Sequence, residues 1–179
     1  MKIQTKLIIA SLLVITGVLF RLIPHAANMT PLVAIALVAG VYLGRPYALA
    51  VPFLAMIIGD LFIGFYDWPV MLAVYGSLAL VGYLGFALKE YNRLETRAMM
   101  SVVASTVFFL ITNWAVWQFS SMYAASLAGL IESYTLALPF YRSALVGDLF
   151  FTMSLFAAFE LALYLSPRYS FRKEALANS

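Results

Sequence analysis

The sequence predicts an all-α fold, a polytopic bundle of transmembrane helices, and three observations predict it. Hydrophobic residues make up 64% of the 179 residues and charged ones only 11%, too little charge to cover a soluble surface. Mean hydropathy is +0.95. The apolar runs are long, and glycine and proline punctuate them. A span takes about 20 apolar residues, so the chain has room for six or seven crossings. It reads as a single integral membrane domain over residues 1–179, with no extramembrane domain of any size.

The first run, "KLIIASLLVITGVLF", follows Lys2 and Lys6. No small-residue cleavage site follows it, because "RLIP" comes next. It is therefore read as a retained first span over Lys6–Phe20 and not as a signal peptide. The connector "RLIPHAANMTP" holds Arg21, His25, Asn28 and Thr30 between the stiff Pro24 and Pro31. The second span is short, Pro31–Leu43, with Asn28 to Pro31 placed to cap it. Gly44-Arg45-Pro46 ends it. The third span is Tyr47–Phe65 and the fourth Pro69–Leu88. The basic segment "KEYNRLETR" reads as a solvated linker. The fifth span is Ala98–Phe119. Pro139 suits a helix start, which gives a sixth span over Pro139–Leu165.

Ser120–Leu138 is apolar enough for a seventh span, but it is short and carries Glu132. Lys and Arg favour the cytoplasmic side. With Lys2 and Lys6 inside, six spans also keep Arg45, Lys89, Arg93, Arg97 and the tail residues Arg168, Arg172 and Lys173 inside. Seven would export the tail. Ser120–Leu138 is thus expected as a re-entrant or interfacial helix before the last span, with seven spans as the alternative. Both termini are expected in the cytoplasm and the protein in the bacterial inner membrane. A partial self-similarity favours seven: Ala-Gly, Pro-Phe and Gly-Asp-Leu-Phe recur in the same order around Asp60 and Asp148. A parallel duplication would produce that, and so would low-complexity apolar sequence.

Candidate site residues are the polar groups at membrane depth. An ionisable group there costs on the order of 3 kcal/mol, so it usually faces protein or water. Asp60 and Asp148 each follow a glycine, which admits a neighbouring helix or a ligand. They line an outward-facing pocket, or each pairs with an arginine or caps backbone. Asn113 and Trp117 are four apart and share a helix face with Phe109. An amide beside an aromatic face suits a planar polar ligand; the alternatives are interhelical glue and an aromatic belt, to which Trp114 and Trp68 also fit. Arg142 lies where it could meet an anionic ligand, Glu132 or Asp148. His25, the single histidine, and Asn28 lie in the connector over the same mouth.

Several chemistries are excluded. With no cysteine, disulfides, thiolate metal sites and cysteine catalysis are absent. One histidine cannot make a HExxH pair. There is no GxSxG, Walker A or GxGxxG motif. No enzyme activity, metal, cofactor or nucleic-acid partner is expected.

The chain is similar to a family of small bacterial membrane proteins of uncharacterised function, through "PHAANMTP", "AGVYLG", "GDLFIG", "TNWAVW", "LAGLIESY" and "LPFYRSALVGDLFFT". Its layout also resembles the substrate-binding S components of energy-coupling-factor vitamin transporters. The shared features are a polar first connector, a short second helix ending "YLGRP", a basic inner loop and "LPF" opening the last helix. That resemblance implies an outward pocket for a vitamin-like nutrient under a lid made by the first connector. It also implies a coupling membrane subunit with a pair of ATPases as partners. S components often carry Ala-x-x-x-Ala on the first helix; here Ala10 is followed by Val14, then Thr16-Gly17. The expected function is uptake of a small polar nutrient without chemistry on it. The alternatives are a membrane enzyme acting on a lipid or isoprenoid, and an accessory or structural subunit of a larger membrane complex.

Overall fold

A computed structural model describes residues 1–24 and 28–165. It is all-helical there: α1 (Ile3–Leu22), α2 (Leu32–Val38), α3 (Arg45–Ile63), α4 (Trp68–Leu88), α5 (Leu94–Phe119) and α6 (Leu127–Tyr164). Among the described residues, α1, α3, α4, α5 and α6 are long and apolar enough to cross a membrane, and Leu32–Leu43 forms a shorter apolar helix.

The short helix is the axis of the molecule. All seven residues of α2 are buried, and the other helices surround it. Helix α1 packs on α3, α3 on α4, α4 on α5 and α5 on α6. Phe20 of α1 meets Phe151 of α6 edge-on at 5.1 Å between ring centroids, which closes the ring. A helix apolar on every side has no polar face to turn to solvent, and the centre of a bundle suits it. In lipid the hydrophobic effect does not hold helices together, so close packing must. A Cβ on Gly40 would stand 2.5 Å from the Phe86 backbone nitrogen, and one on Gly85 would stand 2.7 Å from the Leu37 Cα. Backbone meets backbone there because both residues are glycine.

The last turn of the central helix widens to π geometry over Ala39–Leu43, closed by the Gly44 amide donating to the Ala39 carbonyl at 3.1 Å. Gly44 then turns the chain at φ 98°, a conformation open to glycine. Lys6 Nζ donates to the Leu43 carbonyl at 2.8 Å, a cation on the orphan carbonyls of a helix end. The other end lacks a side-chain cap: Pro31 is the N-cap residue and no side chain bonds there, contrary to the cap expected from Asn28 to Pro31.

The outside of the ring is apolar. Ile8, Leu12 and Leu19 of α1 and Phe62 of α3 are each more than half exposed, whereas Asp60, Ser101, Ser105, Asp148 and Thr152 are buried. This inversion suits a lipid solvent. The small residues Ala10 and Gly17 of α1 face inward, and a Cβ on Gly17 would lie 2.8 Å from the Ala55 Cβ of α3.

Three sequence expectations are corrected. Ser120–Leu138 is not a separate re-entrant helix: α6 runs unbroken through Pro139 for 38 residues, about 57 Å at 1.5 Å per residue. Its first turns are held against α5, where Tyr134 Oη donates to the Leu110 carbonyl at 2.7 Å and Tyr134 lies edge-on to Phe109 at 5.6 Å. That packing outweighs the missing proline donor. Secondly, α6 runs in the same sense as the central helix, with Gly147 by Met29 and Phe159 by Tyr42, and α3 in the opposite sense, with Ala55 and Met56 by Leu32 and Ala48 level with Gly40 through Gly82. The helices α3 and α6 are therefore antiparallel, so the alternative of a parallel Gly-Asp-Leu-Phe repeat and of a seventh span has no support among the described residues. Thirdly, "KEYNRLETR" is not wholly solvated. Arg97 is buried, donates from Nε to Asn92 Oδ1 at 2.7 Å, pairs with Glu160 of α6 and lies 4.8 Å from the Phe156 ring centroid.

Candidate functional site

Because the central helix is short, the column above its N-terminus is not filled by helix. A cavity of about 500 Å³ occupies that place, within the range of small-molecule sites. Leu32 and Val33 form its floor, and every long helix contributes to its wall. The exposed residues Asn28, Tyr66 and Phe140 stand at its rim. The lining is more apolar than polar, with Phe108, Phe109, Phe140 and Tyr141 on one side.

The two aspartates have different surroundings. Asp60 of α3 is 1% exposed. It pairs with Arg21 at the end of α1 and accepts from Tyr75 Oη of α4 at 2.7 Å. Arg21 Nη1 also reaches Met56 Sδ at 2.7 Å. Gly59 makes this possible, since a Cβ there would stand 2.4 Å from Arg21 Nε. Asp60 does not line the cavity; its partner Arg21 does.

Asp148 of α6 lines the cavity and is 5% exposed. Ser105 Oγ of α5 donates to its Oδ2 at 2.6 Å. Neither ion pair found among the described residues includes Asp148. Gly147 beside it admits the connector: a Cβ there would stand 2.6 Å from Met29 Cγ. The two Gly-Asp pairs thus hold the two ends of the first connector, Arg21 against Gly59 and Met29 against Gly147. Asn28 between them has φ 60°, the left-handed region that asparagine tolerates better than most residues.

The remaining expected site residues divide. Asn28 and Asn113 line the cavity, and Asn113 Nδ2 donates to the Phe109 carbonyl one turn earlier at 2.8 Å, which leaves its Oδ1 for other partners. Trp117 is not among the lining residues; its Nε1 donates to the Ala124 carbonyl at 3.0 Å and ties down the α5–α6 connection. Arg142 is exposed, is not part of the lining and joins neither ion pair. His25 lies outside the described residues. Trp68 and Trp114 are exposed.

Sequence reasoning passed over Ser105, Phe108, Thr112 and Val116. With Ser101, Asn113 and Phe109 they form a stripe along α5 at spacings of three and four. That period was the available signal. Arg21 was visible as a polar residue of the connector, but nothing local assigned it to Asp60, 39 positions away.

Comparison with known proteins places the whole bundle, cavity included, within one family match. The family described as "Family of unknown function (DUF6580)" covers residues 1–171. The chain belongs to DUF6580. No curated protein and no solved structure matches it. The helices that build the cavity, from α1 to α6, all lie inside the DUF6580 match, so the family unit includes floor, wall and connector.

Proposed function

We propose that this DUF6580 protein is a substrate-binding membrane protein for uptake of a small polar nutrient, with no chemistry performed on it. The observation that carries the reading is the cavity of about 500 Å³ above the short central helix. A bundle needing only to be stable would gain by filling that column, since voids forfeit packing. Polar groups of the wall, Asn28, Asn113 and Asp148 among them, give a ligand directional contacts within an apolar chamber. The connector between Arg21 and Met29 acts as the lid. The protein sits in the bacterial inner membrane with both termini cytoplasmic. It works in the manner of an energy-coupling-factor S component, with a coupling membrane subunit and ATPases supplying the energy.

Native mass spectrometry of gently purified full-length protein tests this reading. A retained small molecule is expected, and it should be lost from Ala144→Trp, which fills the cavity from α6, but kept by Ala144→Ser. Protein that carries nothing and binds no candidate nutrient, or a ligand retained equally by Ala144→Trp, would remove the proposal.

A further inference from the structure

We propose that the occupant of this cavity is an organic cation, a protonated amine on an aromatic or similarly flat apolar body, with its ammonium at Asp148 and Ser105. The proposal rests on the cavity being a ligand site and adds the chemical class of that ligand.

Among the charged residues that line the cavity, Arg21 is already neutralised by Asp60, whose remaining oxygen is taken by Tyr75. Asp148 has no such partner among the described residues. Its Oδ2 accepts from Ser105 Oγ, and its Oδ1 has no hydrogen-bond partner among the described residues. Arg142, six positions earlier on α6, is exposed and does not reach it. The cavity wall therefore carries one carboxylate that the described protein leaves uncompensated, and a buried carboxylate without a counter-charge is costly. An ammonium supplies the charge and up to three donors. Ser105 Oγ lies within hydrogen-bond distance of both Asp148 Oδ2 and the Ser101 carbonyl but has a single proton to give to one of them, and its oxygen can also accept from an ammonium.

The shape argues for an organic cation over a bare ion. A space of about 500 Å³ is far larger than one metal ion needs, and no group of three or more acidic or histidine ligands exists among the described residues. Phe108, Phe109 and Tyr141 line the same cavity as Asp148, and Phe109 and Tyr141 lie 4.5 Å apart between centroids. Such faces accept a flat body and favour a cation beside them.

The test uses full-length protein in nanodiscs and three probes of matched shape: tryptamine, its alcohol analogue tryptophol and its acid analogue indole-3-propionate. Binding is measured by calorimetry and by thermal stabilisation. Tryptamine is expected to bind at least about thirtyfold more tightly than either analogue, the difference a buried charge partner typically makes. Asp148→Asn should abolish that preference, and Ser105→Ala should weaken it if Asp148→Asn does not fold. Equal or tighter binding of the acid or the alcohol overturns the amine assignment but leaves an uptake site in place. Stabilisation by sodium over potassium, with no effect of tryptamine, overturns it in favour of an ion site. Failure of all three probes, together with no retained ligand, sinks both the assignment and the uptake reading.

Discussion

Gly147 of α6 faces Met29 of the first connector so closely that a Cβ on the glycine would stand 2.6 Å from the methionine Cγ and 3.3 Å from its Cα. The connector is therefore seated on α6 by the absence of a side chain. Gly147→Leu should lift Met29 and open the rim of the cavity. The chain has no cysteine, so a single Asn28→Cys reporter is clean. Its reaction with a membrane-impermeant thiol reagent should quicken severalfold in the Gly147→Leu background. An unchanged rate would show that the connector is seated by other contacts.

The other end of the connector is held by charge. Arg21→Gln should destabilise the protein by about 3–5 kcal/mol, because it leaves the buried Asp60 uncompensated, and Asp60→Asn should cost less, because the Arg21 side chain keeps 14% of its surface exposed. The double variant should cost clearly less than the sum. Unfolding midpoints in mild detergent, read as a double-mutant cycle, measure this. Additive losses would mean that the pair is not an energetic unit.

The central helix should tolerate no added bulk where backbones touch. Gly85→Leu would force Leu37 away from α4, with a cost of about 1–3 kcal/mol or more typical of overpacked cores. Gly76, whose Cβ would meet nothing within 4 Å, provides the control: Gly76→Ala should leave the thermal midpoint unchanged or slightly raised. A Gly85→Leu protein as stable as the parent would contradict the packing of α2 against α4.

Asn113 and Trp117 look equivalent by helical spacing but should behave differently. Asn113→Ala should weaken ligand binding about tenfold or more, the range for a buried polar group left without its partner. Trp117→Phe should leave affinity intact and lower the thermal midpoint by a few degrees, since it loses one hydrogen bond worth about 1 kcal/mol. Affinity measurements on both variants check the contrast. A large affinity loss in Trp117→Phe alone would reverse the assignment.

The legibility of this fold follows the range of the forces involved. Apolar run length is a local property, so the first five spans were readable to within a few residues, whereas α6 begins twelve residues before the expected start at Pro139. The central place of α2 also had a local sign, seven consecutive apolar residues with no polar face. Pro139 misled because its preference for helix starts is a local statistic, and the contacts of Tyr134 with Leu110 and Phe109 come from a different helix. Asp148 and Asn113 drew attention as polar residues in lipid-like sequence. That Asp60 pairs with an arginine while Asp148 has no ion-pair partner among the described residues depends on which helices neighbour each, and pairing across 39 residues leaves no trace in local pattern.

The half-height axis also has an electrical consequence. Seven residues of α-helix and five of π-helix amount to about 18 Å of rise at 1.5 Å per residue, against a hydrocarbon thickness of about 30 Å. Where a hydrated chamber replaces the rest of that thickness, the membrane voltage drops mainly over the remaining dielectric plug. A cation resting at Asp148 would have crossed little of that drop. Most of the roughly 2.3 kcal/mol that each charge gains per 100 mV would be released only when the plug, with Lys6 fastened to its far end, gives way.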